Sequence, residues 1–72
     1  MNLTFAEAKK KLTNQRVRIS NSVNYEDICM VITVAAVREE GGHSHSHSHR
    51  LVLKSDRGTE VIVGKKAKIV VF

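Results

Sequence analysis

The sequence predicts a small α+β domain, mostly β, in which a short N-terminal helix precedes about five antiparallel strands that form a small barrel with a long central hairpin. Three observations predict this fold. A helix-capping signal stands near the start, β-branched runs follow without any proline, and segments rich in glycine or asparagine separate the runs. With 72 residues the chain allows one domain, predicted over 1–72, and its core must be aliphatic because only 4% of the residues are aromatic.

The segment Thr4-Phe5-Ala6-Glu7 is a capping box, in which a threonine caps the helix and a glutamate follows three residues later. It predicts a helix over about 4–13, with Asn14 as its stop. Apolar residues recur at helical spacing along one face of this segment. They are Phe5, Ala8 and Leu12.

A first strand is predicted over about 15–20, because apolar and basic residues alternate there. Val17 and Ile19 would point to the core, and Arg16 and Arg18 would point outward. Residues 21–24 are predicted to be a loop, since Asn and Ser readily hydrogen-bond to their own backbone.

The adjacent glycines Gly41-Gly42 predict a two-residue turn between strands over about 27–40 and 43–55. The apolar run 28–37 predicts a strand covered on both faces, with Cys29 as a small buried hydrophobe. The turn also predicts a strand register. The opposed pairs would be Glu40 with His43, Arg38 with His45, Ala36 with His47, Val34 with His49, Ile32 with Leu51 and Met30 with Leu53.

All four histidines of the chain alternate with serine just after this turn, as His43, His45, His47 and His49. Alternate residues of a strand lie about 6.6 Å apart on one face, so neighbouring imidazoles could share Zn²⁺, Ni²⁺ or Cu²⁺, with Glu40 or a second chain completing the coordination shell. The same pattern is also typical of a polar, flexible tip without a site, and of an engineered affinity loop. The sequence leaves these three interpretations open.

The remaining segments predict a short C-terminal meander. Residues 56–58 form a turn, strands follow over about 59–63 and 68–72, and residues 64–67 connect them. Phe5 and Phe72 are assigned to the core, which leaves Tyr25 as the aromatic residue outside it.

The stretch Gly58-Thr-Glu-Val-Ile-Val-Gly64, followed by Ile69-Val-Val-Phe72, resembles the second motif of Sm-like proteins. In that motif a strand ends at glycine and a short apolar strand closes the barrel. The resemblance implies an Sm-like or SH3-like barrel and a ring-forming, RNA-associated module. Three departures stand against it: Val63 occupies the usual position of an arginine, the connection before Ile69 is longer, and no Asp-x-x-Asn stretch matches the first motif.

The opening pattern Phe5-x-Glu7-Ala8, continued by Leu12 and Val17-x-Ile19, is similar to the start of small phage-encoded proteins. In these a helix precedes a compact sheet, and some antagonise host defence by sequestering a nucleotide signal or by blocking a host enzyme. The similarity implies a viral protein acting in the host cytoplasm.

The formal charge of +5 favours anionic partners, and no catalytic constellation is visible. The sequence therefore predicts a non-enzymatic, cytoplasmic binding module that forms a homo-oligomer and binds nucleic acid or an anionic nucleotide ligand, without a membrane partner and without a required cofactor. The alternative is a phage-type accessory protein that inhibits a host protein, or a structural assembly subunit. The candidate anion-binding residues are Arg16, Arg18, Arg38, Lys54, Arg57, Lys65 and Lys66.

Overall fold

A computed structural model of the protein describes residues 4–40 and 50–72. Over these residues the chain forms one helix and five strands. In chain order they are α1 (Phe5–Leu12), β1 (Arg16–Ser20), β2 (Met30–Glu40), β3 (Arg50–Ser55), β4 (Glu60–Val63) and β5 (Lys68–Val71). Each predicted helix or strand is therefore present, with ends shifted by a few residues where the structure describes them.

The capping box predicted at the start of α1 is confirmed. The Glu7 backbone N–H donates to the Thr4 hydroxyl at 3.1 Å, and the Thr4 backbone N–H donates to the Glu7 carboxylate at 3.2 Å. Ala8 and Leu12 are buried and Phe5 is half-buried against the core, as the apolar spacing predicts. The helix ends before Asn14, whose φ of 67° lies in the left-handed region and cannot continue an α-helix.

The capping box makes helix stability sensitive to substitution and to pH. Thr4→Ala should lower the free energy of unfolding by about 1 kcal/mol, because it removes the acceptor for the Glu7 backbone N–H. Hydrogen bonds from the Thr4 backbone and hydroxyl, with the nearby charge of Lys11, lower the pKa of the Glu7 carboxyl. A lowered folded-state pKa stabilises the fold above the unfolded pKa, and this stabilisation is lost as pH falls through the folded pKa.

Chemical denaturation across a pH series tests this, with Glu7→Gln as the second variant. Glu7→Gln should be less stable than the wild type at neutral pH, and the difference should vanish in acid. A difference that persists unchanged at a pH below the titration of Glu7 would contradict the assignment.

The strands form a single antiparallel sheet in the order β4-β3-β2-β1-β5. Among the described residues no ladder joins β4 to β5, so this sheet is open and the predicted closed barrel is not confirmed. α1 packs on β2, and the buried core lies on the face of the sheet that carries Val17, Ile19, Leu53 and Val61.

A β-bulge divides β2 into two halves. Val34 lies opposite Ser55 and Ala36 lies opposite Lys54, so one extra residue is inserted on β2. The insertion lets Val34 and Val37 both face the core, although strict alternation would turn one of them outward. The first half of β2 pairs with β1 and the second half pairs with β3.

The hairpin register predicted from a Gly41-Gly42 turn is wrong. Glu40 lies opposite Arg50 instead of His43, and Leu51 lies opposite Glu39 instead of Ile32. The predicted pairs that involve His43, His45, His47 and His49 fall in residues 41–49, which lie outside the described residues. The reason for the observed register is that β3 must also match β4, where Leu51 and Leu53 oppose Val63 and Val61 on the core face.

Strand β3 is buried on both faces, whereas β2 is buried on one face. Leu51, Val52 and Leu53 are all fully buried, whereas Val31 on β2 is 46% exposed. Two-sided coverage of the run 28–37 was the prediction, and it is wrong because β2 carries the core on one face only. Cys29, predicted as buried, is exposed in the loop before β2.

The outer edge of β4 is covered by the loop between β1 and β2. The Asn24 side chain accepts from the Ile62 N–H at 2.9 Å and donates to the Glu60 carbonyl at 3.0 Å. The Val23 N–H donates to the Ile62 carbonyl at 2.7 Å. These bonds take the place of a neighbouring strand, so the backbone groups of Ile62 are satisfied on this edge.

The predicted turn at 56–58 is confirmed. Gly58 has a φ of +88°, a conformation that side chains disfavour. The buried Ser55 hydroxyl accepts from the N–H groups of Arg57 and Thr59, which holds the turn closed. In the part of the chain that the structure describes, the helix is too short to cross a bilayer.

Candidate anion-binding interface

The candidate site lies on the face of β1 and β5 opposite the core. Arg18 lies directly opposite Val70, and Ser20 lies opposite Lys68, so these side chains share one face. Arg16 shares it by alternation along β1. Strand β2 contributes Val31 opposite Arg18 and Thr33 opposite Arg16. We call this surface the basic face, defined by Arg16, Arg18, Lys68, Val70 and Phe72.

An arginine and an aromatic ring contact each other on the basic face. The guanidinium carbon of Arg18 lies 5.7 Å from the centroid of the Phe72 ring, which is cation–π distance. Phe72 is 62% exposed, so its ring is available to a ligand. The assignment of Phe72 to the core is therefore wrong: the Phe72 N–H bonds to the Arg16 carbonyl, which places this side chain on the outer face at the sheet edge. Tyr25, by contrast, is half-buried against the core.

The strand residues that build the basic face carry cations and no acidic side chain. The described strand residues that build it contain three cations, Arg16, Arg18 and Lys68, and neither β1, β5 nor residues 30–33 of β2 contain Asp or Glu. All three cations are exposed. Planar guanidinium groups beside a ring present hydrogen-bond donors and a stacking surface together, which suits phosphate and nucleobase groups.

The structure places Arg38 apart from Arg16 and Arg18. It lies on the second half of β2, five residues and roughly 16 Å further along the strand than Thr33 at about 3.3 Å per residue. Its guanidinium lies 3.5 Å from the Glu60 carboxylate and 3.6 Å from that of Glu40. These exposed ion pairs add little stability, yet they reduce the charge that Arg38 offers to a ligand.

The other predicted basic residues are spread over the molecule. Lys54 lies opposite Glu60 on the β3–β4 ladder, and Arg57 lies in the turn between those strands. Lys65 and Lys66 lie in the connection that precedes β5. Of the seven predicted residues, the described sheet thus brings Arg16 and Arg18 together on the basic face.

Sequence reasoning missed Lys68 and Phe72 as surface residues. The sequence does show that Lys68, Val70 and Phe72 are alternate residues of the last strand. Alternate residues share one face of a strand, so the cation and the aromatic ring lie on the same face. The alternation alone does not show which of the two faces of the strand is exposed. Only the pairing of β5 with β1 gives the answer, because it aligns Val70 with the outward Arg18.

The histidines proposed as metal ligands, His43, His45, His47 and His49, lie outside the described residues. Within residues 4–40 and 50–72 no group of three or more His, Cys, Asp or Glu side chains could hold a metal ion. Metal binding by the histidine stretch stays a prediction, which a Ni²⁺ or Zn²⁺ titration can check.

Comparisons of the chain with protein-family models, with curated proteins and with solved structures found no match.

Proposed function

We propose that this protein is a non-enzymatic binding module that acts as a homo-oligomer and holds nucleic acid, or an anionic nucleotide, on the basic face. The observation that carries the proposal is the Arg18–Phe72 pair, exposed on a strand face with Arg16 and Lys68 and with no acidic residue among the strand residues around it. The exposed ring meets the need for a stacking surface that small β modules have when they bind single strands.

Each part of the basic face has a separate role in this proposal. Arg16 and Lys68 contact phosphate oxygens, because they are exposed cations on rigid strands. Phe72 stacks on a base, and the Arg18 guanidinium supports the ring from one side while it donates to phosphate. The binding is driven mainly by phosphate contacts and is therefore weakened by salt.

The experiment is a fluorescence-anisotropy titration with a short labelled single-stranded RNA over a series of salt concentrations. Arg18→Ala should weaken binding and should reduce the slope of log K against log salt by about 0.7, the value expected for one lost phosphate contact on a single strand. Phe72→Leu should weaken binding by about 1 to 3 kcal/mol with an unchanged slope, because it removes the ring and keeps an apolar side chain.

Two variants serve as controls in the same titration. Arg18→Lys keeps the charge and should retain the salt slope while it loses the planar contact with Phe72. Arg57→Ala removes an exposed cation from the turn between β3 and β4 and should leave the affinity nearly unchanged. Equal losses from Arg57→Ala and Arg18→Ala, or no binding by the wild type at low salt, would refute the proposal. A titration with a labelled nucleotide in place of RNA distinguishes the two ligand classes.

A second candidate function is a phage-type accessory protein that binds a host protein, or an assembly subunit. The observation that favours it is the run of exposed apolar side chains at Val70, Val71 and Phe72, which is typical of protein interfaces. An Sm-like relationship belongs with the first candidate. Its support is the capped helix before five strands and the glycine, Gly64, that follows β4 before a short apolar strand.

A further inference from the structure

The outer edge of β5 is unpaired among the described residues, since β5 is the last strand of the sheet order. The Phe72 N–H donates to the Arg16 carbonyl at 3.0 Å, and alternate residues of an antiparallel ladder direct their backbone groups the same way. Lys68 and Val70 therefore face β1 with Phe72. Ile69 and Val71 direct their N–H and C=O groups away from the sheet.

The two edges of the sheet differ in this respect. Asn24 and Val23 already satisfy the outward groups of Ile62 on β4, as described above. Addition of one molecule to the next in a ring or a filament would require two different free edges, one on each side of the molecule. Among the described strands β5 presents an edge that is unpaired along its full length, and the closed way to pair one such edge with itself is a two-fold contact.

From this geometry we infer that two copies of this chain pair antiparallel through β5, around a two-fold axis at Val70. Ile69 then lies opposite Val71 of the second copy and exchanges both of its outward hydrogen bonds with it, and Val71 does the same with Ile69 of the second copy. The sheets of the two copies become one continuous sheet.

The side chains of β5 are complementary to themselves in this register. On the outer face Val70 meets Val70 of the second copy, and Lys68 lies beside Phe72 of the second copy, where an ammonium and a ring attract each other. A two-fold axis at Lys68 would instead set two ammonium groups opposite each other, which is unfavourable. If the register slipped by one residue, residues whose backbone N–H and C=O groups point out of the sheet would lie opposite residues whose groups point toward β1. The hydrogen bonds between the two copies would then not form.

Burial at this edge explains the surface composition of β5. Val70, Val71 and Phe72 are 53%, 46% and 62% exposed in the single chain, and three consecutive exposed apolar residues on an edge strand favour strand pairing with another molecule. Pairing covers the first two and leaves the basic faces of both copies side by side. The two Arg18 side chains would then start about 14 Å apart, three strand spacings of about 4.8 Å.

This inference specifies the oligomer of the proposed function and does not depend on its anionic ligand. The test is sedimentation equilibrium of the full chain without nucleic acid, over a wide range of protein concentration. The wild type should fit a monomer–dimer equilibrium. Val70→Lys, which places like charges at the axis, should raise the dimer dissociation constant by at least about tenfold.

Two further variants separate edge pairing from general effects. Val31→Lys makes the same change on a comparably exposed valine of β2, away from the edge, and should leave the dissociation constant unchanged. Val71→Pro removes an outward N–H and keeps the β1 ladder, so it should yield a folded monomer by circular dichroism. A monomeric wild type, assemblies larger than a dimer, or equal effects of Val70→Lys and Val31→Lys would overturn the inference. RNA titration of Val71→Pro, which leaves the residues of the basic face unchanged, shows separately whether ligand binding survives in the monomer.

Discussion

Leu53→Ala should lower the free energy of unfolding by about 2 to 5 kcal/mol, the range for leucine truncation in a core. Leu53 is fully buried on β3, where it lies between Val37 of β2 and Val61 of β4. A domain of 72 residues has a free energy of unfolding of about 4 to 11 kcal/mol. If the wild type lies near the lower of these values, the variant should be partly unfolded without denaturant. Urea denaturation followed by circular dichroism measures the change.

Val31→Ala is the matched control for Leu53→Ala. Val31 lies on the neighbouring strand but is 46% exposed on the outer face, so its truncation should cost much less than that of Leu53. Similar losses for the two variants would mean that the core does not lie on the face assigned to it.

Asn24→Ala should have the second largest effect, because the Asn24 side chain satisfies two backbone groups of β4. Its loss removes the acceptor of the Ile62 N–H and the donor to the Glu60 carbonyl, at a cost of about 0.5 to 1.5 kcal/mol for each of these exposed hydrogen bonds. It also uncovers the outer edge of β4. The variant should therefore associate into species larger than the dimer proposed for the wild type.

Asn24→Asp provides a graded comparison. It keeps the acceptor for the Ile62 N–H and replaces the donor to the Glu60 carbonyl with a carboxylate oxygen, so one bond is retained and one contact becomes repulsive. Denaturation and light scattering after size exclusion should show a loss of stability for both variants, with β4 partly protected in Asn24→Asp. An Asn24→Ala protein with wild-type stability and mass would show that the loop does not protect β4.

The pattern of the sequence was sufficient for features that depend on neighbouring residues. The capping box at Thr4, the outward Arg16 and Arg18, and the turn at Gly58 are confirmed, because a cap, an alternation or a positive φ is decided within a few residues. The same reasoning located two residues of the basic face.

The errors fall where a residue's environment depends on distant strands. Cys29 and Phe72 are apolar residues in apolar runs, and no local rule distinguishes a core position from an exposed one there. The register of β2 with β3 was predicted from a turn at Gly41-Gly42. The observed register depends instead on the ladders to β1 and β4 and on the bulge after Val34.

The helix, the five strands and the surplus of positive charge follow from residue spacing and composition alone. The strand that is buried on both faces, the edge that the Asn24 side chain covers, and the cations that share a surface follow from how distant segments pair and pack. Strand pairing between distant segments aligns Arg18 with Val70 and brings Phe72 to its guanidinium. Those pairings depend on packing and backbone hydrogen bonds across the whole sheet, which no local pattern encodes.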